Sequence, residues 1–153
     1  MSRGTNYEDL KAGLLSELAD EEHKVLGVPA ADPAEAVEYF YRAKLRCETD
    51  AYDVHHDLRA GHGGFVVLDV RKPESYRAEH VAGARNLSHH DMTPEDIAAL
   101  DPGQVYVTYG WGPGCNAGTK GAAKLAAHGL RVKEMLGGIE YWKRQGFPLE
   151  QGS

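Results

Sequence analysis

Cys115 stands inside a glycine-rich run, Gly110-Trp111-Gly112-Pro113-Gly114-Cys115-Asn116-Ala117-Gly118, where a thiolate would be the chain's nucleophile. The run follows an apolar, β-rich stretch, Val105–Tyr109. It leads into a helical pattern with Ala122, Leu125 and Ala126 that stops at Gly129. A loop entering a helix N-terminus offers backbone N–H groups without partners and the positive end of the helix dipole. A thiol held there is expected to be acidified. Glycine at 110, 112, 114 and 118 frees the backbone to turn its N–H groups around a sulfur or an oxyanion. Trp111 is placed to wall such a pocket, and Asn116, Ala117, Gly118, Thr119 and Lys120 form the entry to the helix. Lys120 is the one cation in the loop's immediate sequence. The plainer reading is a cysteine that fills space in a tight turn.

Other chemistries fit less well. Gly112-x-Gly114-x-x-Ala117 has the outline of a dinucleotide fingerprint, yet it follows a late strand rather than opening the first βαβ unit. A phosphate-binding P-loop needs Gly-Lys-Ser/Thr, and the chain has Gly118-Thr119-Lys120. A cysteine phosphatase needs Cys-x5-Arg for bidentate phosphate binding, and Gly121 occupies the arginine position. His55, His56, His62, His80, His89 and His90 crowd one stretch, but adjacent pairs face apart and no zinc-type spacing occurs, so neither metal nor cofactor is expected. A net charge of −6 disfavours nucleic acid and anionic membrane surfaces as partners. No apolar run approaches the ~20 residues of a membrane span. The start, Met1 to Asn6, has no apolar region typical of a secretory signal. Cys47 and Cys115 make no disulfide framework. The expectation is a soluble, cytoplasmic protein with reduced thiols.

The elements that must position the loop follow from periodicity and punctuation. Residues 6–26 read as a helix capped by Asn6, with Leu10, Leu14 and Leu18 at spacing four and Gly27 and Pro29 as its stop. Asp32-Pro33-Ala34-Glu35 opens a second helix, whose face carries Ala36, Phe40, Ala43 and Cys47; Cys47 is therefore expected to be packed. A third helix runs from Asp50 through Val54 and Leu58 to Gly61. Phe65-Val66-Val67-Leu68-Asp69-Val70 is continuous and apolar enough for a parallel strand buried on both faces. A helix from Pro73, a short strand over 84–87, and a Thr93-capped helix to Leu100 come next. A last strand over Arg131–Leu136 and a helix over Ile139–Gln145 close the pattern. Strands alternating with helices predict a parallel sheet covered on both sides.

Three boxes in this frame resemble the rhodanese-like domain family. Leu68-Asp69-Val70-Arg71-Lys72-Pro73 through Tyr76 resembles its "LDVR-x-P-x-x-Y" box. Glu79-His80-Val81-Ala82-Gly83-Ala84-Arg85-Asn86-Leu87 resembles its "GHIPGAxNI" box, and Gly137-Gly138 through Trp142 its closing "GGxxxW". The resemblance divides the chain into an N-terminal helical extension, 1–48, and a rhodanese-like domain, 49–150. It implies an α/β fold with a five-stranded, mainly parallel sheet and helices on both faces. It also implies sulfur transfer: a cysteine takes sulfane sulfur from a donor such as thiosulfate, holds it as a persulfide, and passes it to a thiol or cyanide acceptor.

The chain departs from that pattern at one position. Registered on the strand and on Gly129, Gly110 takes the family's cysteine position; registered on Cys115, Gly118 and Lys120 fall at the family's glycine and arginine. Strand and helix ends are set by the fold, which favours the first register. Either Cys115 is the sulfur-carrying thiolate, or the domain is a catalytically degenerate module that binds a partner or a small anion. Asp69, Arg71 and His80 are supporting residues in this scheme: Asp69 and His80 brace loops, and Arg71 helps guide an anionic donor. The N-terminal helices offer a homodimer arm or a cover for the sheet, and the sequence leaves both open.

Overall fold

A strand as continuously apolar as Phe65–Asp69 needs cover on both faces, and the computed structural model, which describes residues 4–153, provides it. Part of the stretch read as lacking a secretory signal, Met1-Ser2-Arg3, lies outside the described residues. The strands are β1 (Glu48–Asp50), β2 (Phe65–Asp69), β3 (His80–Val81), β4 (Arg85–Asn86), β5 (Val105–Tyr109), β6 (Arg131–Leu136) and β7 (Leu149–Glu150). Five of them form one parallel sheet in the order β1-β6-β5-β2-β4, while β3 and β7 pair antiparallel. The register aligns Asp69 with Tyr109 and Thr108 with Glu134, so these side chains share the C-terminal rim of the sheet. In parallel α/β sheets that rim is where ligand sites form.

The period of two along each strand divides the core. On one face Val67, Val107, Tyr109 and Met135 pack with Ala51 and Val54 of α4 (Ala51–Ala60) and Ile139 and Trp142 of α8 (Gly138–Arg144). On the other, Leu68, Val70 and Tyr106 pack with Ile97 of α6 (Pro94–Ala98) and Ala117 and Leu125 of α7 (Ala117–Ala127). Each large apolar side chain so enclosed stabilises the fold by roughly 1.5–3 kcal/mol. The caps match the sequence signals. Asp50 accepts from the Asp53 N–H at 2.9 Å, Thr93 and Asp96 form a capping box, and Gly61 ends α4 at φ 74°. The short helix α5 (Pro73–Ala78) starts at its proline.

The chain divides into two units after Arg42. The first contains α1 (Tyr7–Glu17), the short α2 (Pro33–Ala36) and a π-helical segment, Val37–Tyr41; α3 (Arg42–Cys47) follows. Two expectations change here. The first helix ends at Glu17 rather than near residue 26, because the Asp20 carboxylate accepts from the N–H groups of Glu22 and His23 and fixes a local turn. Those bonds also hold the Asp20 carboxyl below its usual range. Cys47 is exposed rather than packed. The π-helical segment Val37–Tyr41 interrupts the α-helical period on which one shared face for Ala36, Phe40, Ala43 and Cys47 was expected.

Candidate active site

The rim of the sheet is organised by a buried polar hub. Asp69 at the end of β2 is fully buried and accepts from Arg71: Nε at 3.0 and 3.1 Å, Nη2 at 2.6 Å, and the backbone N–H at 2.9 Å. Arg71 Nη2 also donates to the Glu79 carbonyl at 2.6 Å. Tyr109 Oη donates to Asp69 Oδ2 at 2.7 Å and accepts from the Val81 N–H at 3.0 Å. Burial, followed by the Asp69 charge, pushes the Tyr109 hydroxyl far above the ordinary tyrosine range, so it remains a donor. The Trp111 ring covers the Arg71 guanidinium at 4.6 Å. A buried charge pair is tolerable only when its remaining hydrogen-bonding capacity is met, and this hub meets it. His80 braces the same region: Nδ1 lies 2.7 Å from the Tyr76 carbonyl, and its ring stacks on Tyr76 at 3.7 Å.

Above the hub, the glycine loop is pinned by the start of α8. The first N–H groups of a helix have no internal partners. Here those of Ile139 and Glu140 donate to the Gly110 and Trp111 carbonyls at 3.0 and 2.9 Å. Gly138 permits this approach. Its φ is +60°, and a Cβ there would lie 2.5 Å from the Gly110 carbonyl oxygen and 2.7 Å from the Gly112 nitrogen. The "GGxxxW" box thus has a local cause: its glycine seats the loop while Trp142 anchors the helix, donating from Nε1 to the Pro148 carbonyl at 2.8 Å.

Gly110 follows β5 directly, and the loop then turns back on itself, with the Cys115 N–H donating to the Gly112 carbonyl at 3.0 Å. The fold-back carries the thiol to the strand end. A Cβ built on Gly110 would lie 3.5 Å from Cys115 Sγ, and 3.2 Å from both the Gly118 nitrogen and the Ala117 Cβ. Cys115 is half-buried and opens on a cavity of about 740 Å³. Gly110, Gly112, Gly114, Asn116 and Thr119 contribute to its lining, as do Glu134 and Tyr141.

Several predicted site residues sit elsewhere. Arg71 does not reach out to guide an anion, because Asp69, the Glu79 carbonyl and the Trp111 ring hold it in the hub. Trp111 is half-exposed over Arg71 and does not wall the cavity. Ala117 and Gly118 are buried in the first turn of α7, outside the cavity lining. Lys120 is exposed and also outside that lining, with its charge near His89, which is buried. Burial first, then the charges of His90, Lys124 and Lys120, lowers the His89 pKa. Among the described residues no cluster of three or more potential metal ligands occurs.

The sequence reading missed Glu134. It is half-buried beside the loop, with its carboxylate oxygens each 2.9 Å from the Thr119 hydroxyl. A charged residue near the C-terminal end of a parallel strand was the available signal.

A fold and rim of this kind define a class. The family model for the rhodanese-like domain matches residues 52–145, and the chain belongs to that family. The thiosulfate sulfurtransferase GlpE of Pseudomonas fluorescens is 35% identical over 89 residues, covering 57% of this chain and 77% of that protein. The GlpE protein of Ectopseudomonas mendocina is 37% identical over 97 residues, covering 59% and 82%. Among solved structures, the BH2092 protein of Bacillus halodurans superposes with a TM-score of 0.75 at 40% identity, covering 78% of this chain and 87% of that one. No helix among the described residues is long and apolar enough to cross a membrane.

Proposed function

We propose that this chain is a sulfurtransferase that carries sulfane sulfur as a persulfide on Cys115 and passes it to a thiol or cyanide acceptor. The observation that carries this reading is the 3.5 Å between Cys115 Sγ and the Cβ position of Gly110. Gly110 itself cannot hold sulfur, but the folded loop brings a thiol to the same strand end. The Gly118 nitrogen lies beside that point, and the first N–H groups of α7 have no partners within the helix. Such donors stabilise a thiolate and, after transfer, the anionic terminal sulfur of a persulfide. With thiosulfate, the thiolate attacks the sulfane sulfur. The new Sγ–S bond forms as the S–S bond of the donor breaks, and sulfite leaves with the electron pair. Cyanide or a thiolate then removes the outer sulfur and regenerates the Cys115 thiolate.

Intact-protein and peptide mass spectrometry tests this directly. The reduced chain is incubated with thiosulfate or with an organic hydropersulfide, then with cyanide. The expected result is one added sulfur on Cys115, removed by cyanide and absent from Cys115→Ser. Exposed Cys47 serves as the internal control. No sulfur on Cys115 with any donor would reject the reading and leave a rhodanese-shaped binding module.

A further inference from the structure

We propose that the Cys115 cavity selects a cationic organic persulfide, an aminothiol hydropersulfide, as its donor, and that Glu134 is the specificity-determining residue that rejects anionic donors such as thiosulfate. This rests on the sulfur-carrying reading above.

The charges around the loop favour such a donor. Glu134 is the one side chain with a formal charge among the described residues lining the cavity. Its only side-chain partner among the described hydrogen bonds is the Thr119 hydroxyl, which has a single proton for two carboxylate oxygens. None of the nearby cations lines the cavity. Arg71 is held by Asp69, Arg144 donates to Glu140 at 2.8 Å, and Lys120 is outside the lining.

The carboxylate also lies close to the backbone at the two ends of the loop. Its Oε1 is 3.2 Å from where a Cβ on Gly118 would stand, and the Gly110 nitrogen is 3.4 Å from the same point. A dianion entering here meets a carboxylate with no cation in the cavity lining to offset it, whereas an ammonium group finds a counter-ion. The cavity is also larger than a small inorganic anion requires, and Met135, Leu136 and Tyr141 give it an apolar wall for a carbon chain.

The step is balanced. The Cys115 thiolate attacks the outer sulfur of R–S–SH, and the Sγ–S bond forms as the RS–S bond breaks. RS⁻ leaves with the electron pair and is protonated by water. Cys115–S–SH keeps the donor's hydrogen, and no external oxidant is needed.

Single-turnover loading of the full chain, followed by mass spectrometry, tests the selection. The donors are cysteamine hydropersulfide, mercaptoacetate hydropersulfide and thiosulfate. Cysteamine hydropersulfide is expected to load Cys115 about tenfold faster than the mercaptoacetate donor, as expected for one nearby carboxylate in a partly solvated site. In Glu134→Gln that ratio falls toward one and thiosulfate loading rises. A ratio unchanged by Glu134→Gln, or a wild-type preference for the anions, overturns the proposal.

A second measurement does not depend on that variant folding. In Cys115→Ser the thiolate charge is gone, and NMR titration is expected to show cysteamine, but not mercaptoacetate, shifting Tyr141 and Glu134 resonances. Equal or inverted binding overturns the proposal. Failure of every donor to load Cys115 rejects the sulfur-carrying reading instead, whereas loading that ignores donor charge rejects only the role of Glu134.

Discussion

The hub beneath the loop and the loop itself spend their polar groups in opposite ways. In the hub, Asp69, Arg71 and Tyr109 meet one another's needs at 2.6–3.1 Å, almost without solvent exposure. In the loop, the thiol is half-buried and opens on the cavity, and glycines replace side chains where the backbone passes close to α7 and α8. The hub holds the rim's conspicuous arginine for architecture, so the glycine loop is built without it. A charged residue at the end of a strand is therefore not by itself a substrate contact. Its partners decide.

That division can be broken or sharpened by substitution. Asp69→Ala strands the Arg71 guanidinium without its partner in the interior and is expected to cost about 3–5 kcal/mol, read as a large drop in the urea midpoint. Gly138→Ala forces a Cβ into the Gly110 carbonyl at a left-handed φ. It is expected to cost about 1–3 kcal/mol and, unlike a hub substitution of equal cost, to slow Cys115 alkylation or sulfur loading disproportionately. Tyr109→Phe leaves the Val81 N–H without its acceptor and Asp69 without one donor, for about 1–3 kcal/mol by thermal melt with the loop chemistry retained. Trp111→Ala removes the cover over Arg71 and is expected to cost about 0.5–1 kcal/mol; a loss of sulfur loading greater than the stability change would place the ring in the reactive part after all.

The smallest effect is one of pH. The His89 pKa is lowered in the fold, so the unfolded chain binds its proton first on acidification. Stability is therefore expected to begin falling as pH drops through the ordinary histidine range, to level off below the folded pKa, and to be less pH-dependent in His89→Gln, by denaturation midpoints across that range.

β2 and β5 were legible because each is a nearly continuous apolar, β-rich run, and β5 and β6 fall at the expected residues, whereas the polar β1, Glu48-Thr49-Asp50, was not anticipated. The caps at Asn6, Asp50 and Thr93 were legible because a side-chain oxygen three residues before a backbone donor is a local event. The extent of the first helix was not, because the Asp20 turn competes with a leucine repeat whose members, Leu10, Leu14 and Leu18, remain more than half exposed. Trp111 and Arg71 were assigned to the pocket from their neighbours in sequence, but their contacts come from β2 and β5 side by side. Glu134 escaped notice because its relation to Cys115 exists only once β6 lies against β5.

The pairing of β1 with β6, and the pinning of the loop by the first amides of α8, set an order of events during synthesis. Chains emerge N-terminus first, and parallel strands distant in sequence pair late. β2 and β5 can meet while α8 is still inside the ribosome, but the Gly110 and Trp111 carbonyls then have no donors waiting for them. The surroundings of Cys115 are thus among the last features to be organised. A nascent chain stalled before residue 140 would hold β2 against β5 and Cys115 in a loop not yet held by α8, so the geometry around Cys115 is completed only with the domain.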